Sequence, residues 1–288
     1  MARVVLATRR SALARAQTAT IAGALRELGH EAEELPLVTT GDRLSAEGRD
    51  PEGKGVFVKE LERALLDGDA DLAVHSAKDL PVELPAGLEV VAVPAREDPR
   101  DALVGPANLE DLPPGARVGT GSPRRAAQIL AARPDLEIAP MRGNVDTRLR
   151  KLDDGEVEAL VLAAAGLARL GVARVDVTPL PIEICVPAPG QGLLAIEALA
   201  GSAGAAAAAA LDDADAHACL LAERAVLEAL GGGCRSPIGA VAHAEGDTLR
   251  LTAFRDDEGG DARRRASASG PIGDPLALGR GLAGQVAA

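Results

Sequence analysis

Residues 4–29, VVLATRRSALARAQTATIAGALRELG, decide the fold class. Val4-Val5-Leu6-Ala7 is a short apolar run of the kind that makes a buried strand. From Ala12 to Leu28 the period changes. Leu13, Ile21, Leu25 and Leu28 fall on one helical face, and Gly29 stops the helix. The first 26 residues carry five Arg and no acid, which also resembles an organellar transit peptide. The strand-to-helix change of period favours a folded element instead.

The same alternation continues outward. Ala32 to Val38 reads as a strand, Val56 to Leu66 as a helix, and Leu72-Ala73-Val74 and Leu88 to Val93 as strands. Thr39 to Lys54 is polar and glycine-bearing and reads as a mobile loop. Pro94 to Pro114 reads as a crossover. A second α/β run follows: a strand ending at Arg117-Val118, strands at Leu136 to Ala139 and Ala159 to Leu162, and helices at Val145 to Leu152 and Gly166 to Leu170. Ser122-Pro123 opens a further helix, with Ser as the cap and Pro in its first position. Alternation of this kind implies mostly parallel sheets. Prolines 179, 181, 187 and 189 mark a return linker ending in Gly190-Gln191-Gly192. The alanine tract from Ala205 to Ala210 is compatible with helix or slack. Asp212 to Leu230 reads as a helix. Ile238 to Ala242 and Leu249 to Phe254 read as antiparallel strands, and Asp274 to Gln285 as a closing helix.

Composition narrows the function. The chain has 288 residues and a net charge of −12, with no Trp, no Tyr and two Phe. Stacking platforms for nucleic acid are missing, and the acidic balance argues against a general polyanion binder. Three cysteines (Cys185, Cys219, Cys234) without a C-x-x-C, and four scattered histidines, give no metal signature and fit a reducing compartment. No apolar run reaches membrane-spanning length. These features predict a cytoplasmic protein.

Against that background, residues 117–151 hold seven Arg and one Lys against three acids. Arg124 and Arg125 lie at a helix start just after Gly119-Thr120-Gly121-Ser122, where free N–H groups and guanidinium forks suit carboxylates or phosphates. Arg142, Gly143 and Arg148 follow. A solvated basic face is the plainer alternative. His75-Ser76-Ala77-Lys78-Asp79-Leu80-Pro81 sits directly after a strand, where open α/β sheets bind ligands; it is equally compatible with an ordinary polar turn. Cys234, after three glycines, is an accessible thiol, whereas Cys185 and Cys219 read as small core residues.

Taken together these segments resemble the porphobilinogen deaminase (hydroxymethylbilane synthase) family. The resemblance runs through Ala7-Thr8-Arg9 with Ser11, Gly53-Lys54-Gly55 with Phe57-Val58-Lys59-Glu60-Leu61, and His75-Ser76 with Lys78-Asp79. It continues through Arg96-Glu97-Asp98-Pro99-Arg100-Asp101, Arg124-Arg125, Arg142-Gly143-Asn144-Val145 with Thr147-Arg148, Gly190-Gln191-Gly192, Gly232-Gly233-Cys234 and Pro237-Ile238-Gly239. It implies two α/β domains like those of type II periplasmic binding proteins plus a small α+β domain. The implied boundaries are 1–94 with 193–210, 95–192, and 211–288.

The resemblance also implies a dipyrromethane cofactor joined by a thioether to Cys234. On that cofactor four porphobilinogen molecules are joined head to tail with loss of ammonia, and the product is released by hydrolysis. Asp79 matches the catalytic aspartate, with Arg9 and Lys78 assisting. Arg124, Arg125, Arg142, Arg148 and Arg169 match arginines that hold pyrrole carboxylates. Thr120, Ser122, Gly143, Lys54, Lys59, Ser76 and Gln191 would add contacts. The family expectation is a monomer with no nucleic-acid or membrane partner. Arg235 departs from the neutral polar residue common beside the anchor cysteine. The alternative is a two-lobed anion-binding protein of the same fold, which would need neither Asp79 nor Cys234.

Overall fold

The computed structural model describes residues 2–46, 55–232, 236–257 and 263–287. In the first part of the chain the elements are β1 (Arg3–Arg9), α1 (Ala12–Glu27), β2 (Glu31–Leu37), α2 (Thr40–Ala46), α3 (Lys59–Leu66), β3 (Leu72–Ser76) and β4 (Leu88–Ala92). Next come β5 (Asp101–Val104), β6 (Arg117–Thr120), α4 (Pro123–Ala132), β7 (Glu137–Pro140), α5 (Val145–Asp153), β8 (Ala159–Ala163), α6 (Ala164–Arg169) and β9 (Val177–Pro179). The remainder holds β10 (Leu194–Leu199), α7 (Ala203–Ala208), α8 (Ala214–Ala229), β11 (Ile238–Glu245), β12 (Thr248–Asp256), β13 (Arg263–Pro271) and α9 (Pro275–Ala287).

The chain divides into two compact units, Met1–Arg96 with Leu193–Leu220, and Glu97–Gly192 with Leu221–Ala288. The first contains a sheet of order β2-β1-β3-β10-β4 and the second a sheet of order β7-β6-β8-β5-β9. Each is mostly parallel around one antiparallel strand, β10 and β5 respectively. Counted within each unit, both orders are 2-1-3-n-4, with n the antiparallel strand. The first sheet is complete only when the chain returns at β10, which lies between β3 and β4. The second unit also carries the antiparallel sheet β11-β12-β13. The architecture is therefore mixed α/β with a small C-terminal sheet.

Strand periodicity explains the core of the first unit. Leu6 faces a cluster with Val4, Ile21, Leu25, Leu72, Val74 and Ile196. Its neighbour Ala7 faces the opposite cluster with Leu61, Leu65, Ala73 and Leu88. Period-two alternation covered on both faces is what a layered α/β sheet requires.

Four expectations need correction. Thr40–Ala46, expected within a loop, is helical. Thr39 and Asp42 cap one another, Thr39 N–H donating to Asp42 Oδ2 at 3.3 Å and Asp42 N–H to Thr39 Oγ1 at 3.2 Å. The expected Val56 helix begins only at Lys59, because 55–58 form a turn that leaves Phe57 free to stack elsewhere. The Pro94–Pro114 crossover contains the buried strand β5. Finally, β13 was hidden by its run of Arg263, Arg264 and Arg265, although its exposure alternates along the strand. The alanine tract is largely helical: Ser202 caps α7, its hydroxyl accepting from Ala205 N–H at 3.1 Å.

Candidate active site

In the first unit the site grows from the carboxyl ends of β1 and β3. Arg9 ends β1. Its Nη2 donates to Asp42 Oδ1 at 2.5 Å and its Nε to the same oxygen at 3.2 Å. The guanidinium carbon lies 4.2 Å from the centre of the Phe57 ring, a cation–π contact. Burial pushes the Asp42 carboxyl up, but the hydrogen bond and charge of Arg9 outweigh it, and the net displacement is downward.

β3 runs through His75 and Ser76 into a single 3₁₀ turn, Ala77–Asp79. Ala77 N–H donates to Leu193 O at 3.0 Å, which fixes this turn to the start of β10. Lys78 and Asp79 are half-buried on the turn. Ser76 and the buried Gln17 of α1 exchange hydrogen bonds of 2.8 and 3.1 Å between their side chains. Arg9, Gln17, His75, Ser76 and Asp79 line one cavity of about 20 Å³. Thus Arg9, Ser76 and Asp79 are brought together; Lys59 stands exposed at the start of α3 and does not line this cavity.

In the second unit Arg124 and Arg125 occupy the first turn of α4, capped by Ser122, whose hydroxyl accepts from Arg125 N–H at 3.4 Å. Thr120 is buried and its hydroxyl accepts from Ser122 N–H at 3.2 Å. The two arginine side chains are not open to solvent. Their side chains are 3% and 7% exposed, and both converge on the fully buried Asp101 of β5. Arg124 Nη1 donates to Asp101 Oδ2 and to Val186 O, each at 2.6 Å. Arg125 Nε donates to Asp101 Oδ1 at 2.8 Å and its Nη1 to Val161 O at 3.0 Å. Gln191 Nε2 completes the arrangement, donating to Asp101 Oδ1 at 2.9 Å.

Burial alone would drive Asp101 toward its neutral form. The two guanidiniums reverse this and hold the carboxyl well below the usual range. The Cys185 thiol donates to Asp101 Oδ2 at 3.2 Å; burial, then the Asp101 charge, pushes it up to about 12. It is an unreactive hydrogen-bond donor.

Arg148 and Arg169 are placed differently. Both are half-buried. Arg148 Nε donates to Gly143 O at 2.8 Å, and Arg169 Nη2 to Gly192 O at 2.6 Å. Gly192 has φ +87°, and a Cβ there would run into the Glu97 carbonyl, so glycine is required for this chain path. Among the described residues neither Arg148 nor Arg169 has a carboxylate within ion-pair distance. Burial, and then the like charge of Arg125, disfavour the Arg148 cation; burial disfavours Arg169, with Glu97 partly offsetting it. Half-buried cations in that situation are stabilised by an anion. Arg142 and Gly143 are exposed between β7 and α5, with the Gly143 carbonyl on Arg148. This donor set fits a ligand bearing several carboxylates. Lys54 and Cys234 lie outside the described residues.

Comparison with known proteins places the chain. The family described as "Porphobilinogen deaminase, dipyromethane cofactor binding domain" matches residues 4–207, and "Porphobilinogen deaminase, C-terminal domain" matches 217–288. The chain belongs to the porphobilinogen deaminase family. Its relatives of that name include one from Acidothermus cellulolyticus, 49% identical over 286 residues, covering 96% of this chain and 86% of the relative. Another, from Thermus thermophilus, is 47% identical over 290 residues and covers 98% and 95%. Among solved structures the Methionine Binding Protein MetQ aligns with a TM-score of 0.44 at 14% identity, over 73% of this chain and 89% of its own, a likeness too loose to bear on function.

Sequence reasoning missed three residues that organise these sites. Asp101 stood in the run Arg96 to Asp101, which carries the family resemblance but gave it no role; a nearby Arg-Arg pair that a buried acid could serve was the available signal. Gln17 and Asp42 carried none beyond their polarity.

Proposed function

We propose that this protein is a transferase that joins four porphobilinogen molecules head to tail, with loss of ammonia, onto a covalent dipyrromethane and releases hydroxymethylbilane by hydrolysis. The observation that carries the reading is the match of both family domains, in order, across residues 4–207 and 217–288. Arg148 and Arg169, half-buried and without an ion pair among the described residues, support it. Each pyrrole brings two carboxylates, and an otherwise acidic protein needs local cations to hold the growing chain.

The residues then divide the work as follows. Arg142, Arg148 and Arg169 receive pyrrole carboxylates, aided by the Gly143 backbone. Arg125 stays with the frame, its Nη2 2.8 Å from Asp101 Oδ1 and 3.5 Å from Gln191 Oε1. Arg124 and Gln191 hold Asp101 and the frame around it. Ser122 and Thr120 shape the start of α4. The dipyrromethane, when bound through Cys234, supplies the nucleophilic pyrrole that starts chain growth. Asp79 stabilises positive charge as the aminomethyl nitrogen departs and takes the proton lost from the attacking ring carbon. Arg9 and Lys78 orient carboxylates beside it, and Ser76, Lys59 and Lys54 add polar contacts. We further assign residues 211–288 to a third domain, and infer a cytoplasmic monomer. Among the described residues no helix is long and apolar enough to cross a membrane.

The test is intact mass. Wild-type protein should exceed its sequence mass by one dipyrromethane unit, and so should Cys185→Ser and Cys219→Ser; Cys234→Ser should not. Extra mass retained by Cys234→Ser would overturn the assignment of the anchor.

A further inference from the structure

Behind Asp79 the structure places a group of titratable residues that the reading above leaves without a role. His75 is buried, and its Nε2 lies 3.0 Å from Glu197 Oε2, with side-chain exposures of 3% and 0%. Glu197 comes from β10, where it pairs with Ala73, two residues before His75 on the same face of β3. Its other oxygen, Oε1, is buried without a hydrogen-bond partner, and so is Oε1 of Glu62 on α3. Two acids and a histidine inside one sheet-and-helix layer are costly, because buried charge must be paired or neutralised. Burial raises the Glu62 carboxyl, and the Glu197 charge raises it further, against the opposing effects of His75 and Lys59. Burial thus favours the neutral form of Glu62, while Glu197 turns Oε2 to His75 Nε2.

In the 3.0 Å contact the carboxylate oxygen Oε2 accepts and Nε2–H donates. That fixes the imidazole proton on Nε2 and leaves the lone pair on Nδ1. His75 also lines the cavity shared by Asp79, Ser76, Arg9 and Gln17. A cavity of about 20 Å³ has room for a single water.

We propose that His75, oriented by Glu197, is a proton relay behind Asp79. The inference rests on the reading of Asp79 as the group that takes the ring proton. Substrate enters as an aminomethyl ammonium. The C–N bond breaks and its electron pair leaves with ammonia. A ring carbon of the bound chain attacks the methylene, and a C–C bond forms. The C–H bond at that ring carbon then breaks, and its pair returns to the ring. The proton goes to the Asp79 carboxylate and through a water in the cavity to Nδ1 of His75. The imidazolium faces Glu197 until the proton is returned to the departing ammonia. One ammonium enters and one leaves per cycle, and Asp79 is a carboxylate again for the next unit. His75 and Glu197 are positioning residues: they act through Asp79 and touch no substrate.

Two measurements on the holoenzyme test this. The first is the imidazole tautomer by ¹⁵N NMR, with the His75 signals identified by their loss in His75→Gln. The wild type should carry its proton on Nε2, and Glu197→Gln should lose that preference. A wild-type proton on Nδ1 would overturn the relay, whatever the folding of any variant. The second is single-turnover chain extension, read by mass, on holoenzyme already carrying one added unit deuterated at its free α-carbon, with unlabelled porphobilinogen as the incoming substrate. His75→Gln should slow turnover at least about tenfold and bring out an isotope effect that the wild type lacks. An isotope effect unchanged in His75→Gln, in a background where Asp79→Asn is impaired, would overturn the relay alone. Near-wild-type turnover in Asp79→Asn would instead remove the role of Asp79 on which the relay depends.

Discussion

The arginines of the two units are used in opposite ways. In the first unit Arg9 pairs one-to-one with Asp42, both side chains 21% exposed, under the ring of Phe57. In the second unit two arginines enclose a single buried aspartate, while among the described residues Arg148 and Arg169 form no ion pair. A +1 charge is thus sealed inside the second unit, and two further cations stand ready at its surface. Charge counting along the sequence cannot separate these uses. Seven arginines in residues 117–151 look like one anion site, but two of them are framework. Breaking the frame should cost stability, whereas removing Arg148 or Arg169 should cost ligand.

The largest effect expected from this contrast is on folding. Asp101→Asn leaves two buried guanidiniums facing a neutral group, which should cost about 3–5 kcal/mol in urea unfolding. The pH dependence follows from the depressed carboxyl. Asp101 binds fewer protons in the folded state than in the unfolded one, so its stabilisation is complete above the ordinary aspartate range. It is lost as pH falls through the folded value. The difference between wild type and Asp101→Asn should therefore shrink on acidification below about pH 4. A constant difference across that range would show that the charge of Asp101 does not hold the frame.

The smaller effect lies at Arg9. Asp42→Asn should cost only about 1 kcal/mol, because the pair is reached by solvent and screened. Its contribution has the same sign with pH as that of Asp101, since Asp42 is also displaced downward. Urea unfolding of the two variants side by side checks the ranking. A loss at Asp42 equal to that at Asp101 would erase the distinction between the units.

Much of this fold was legible because its elements obey simple periods. β1 and α1 were visible in residues 4–29, and α4 in Ser122-Pro123, where cap chemistry and proline geometry agree. Elements that depend on distant partners were not legible. β5 begins with a charged residue, and only the arrival of Arg124 and Arg125 makes Asp101 a core residue. α2 is stabilised by Thr39, Asp42 and Arg9, a set drawn from separate elements. For the site, residue types were legible and their exposure was not. Arg124 and Arg148 look alike in sequence, yet the first is sealed in an ion pair and the second is not. His75 reads equally as a site residue and as part of a polar turn until Glu197 is brought in from 122 residues away.

The central claim is a division of labour: proton chemistry in the first unit, carboxylate holding in the second. The most direct test compares Asp79→Asn with Arg148→Leu, reading intact mass and single-turnover ammonia release on the same preparations. Asp79→Asn supplied with preformed cofactor should keep the added dipyrromethane mass and lose at least about a hundredfold in ammonia release. Arg148→Leu should stay folded and bind cofactor or substrate at least about tenfold more weakly, the scale of one charge-assisted hydrogen bond. Saturating substrate should restore much of its ammonia release. Asp79→Asn releasing ammonia at the wild-type rate, or Arg148→Leu binding as tightly as wild type, would contradict the account.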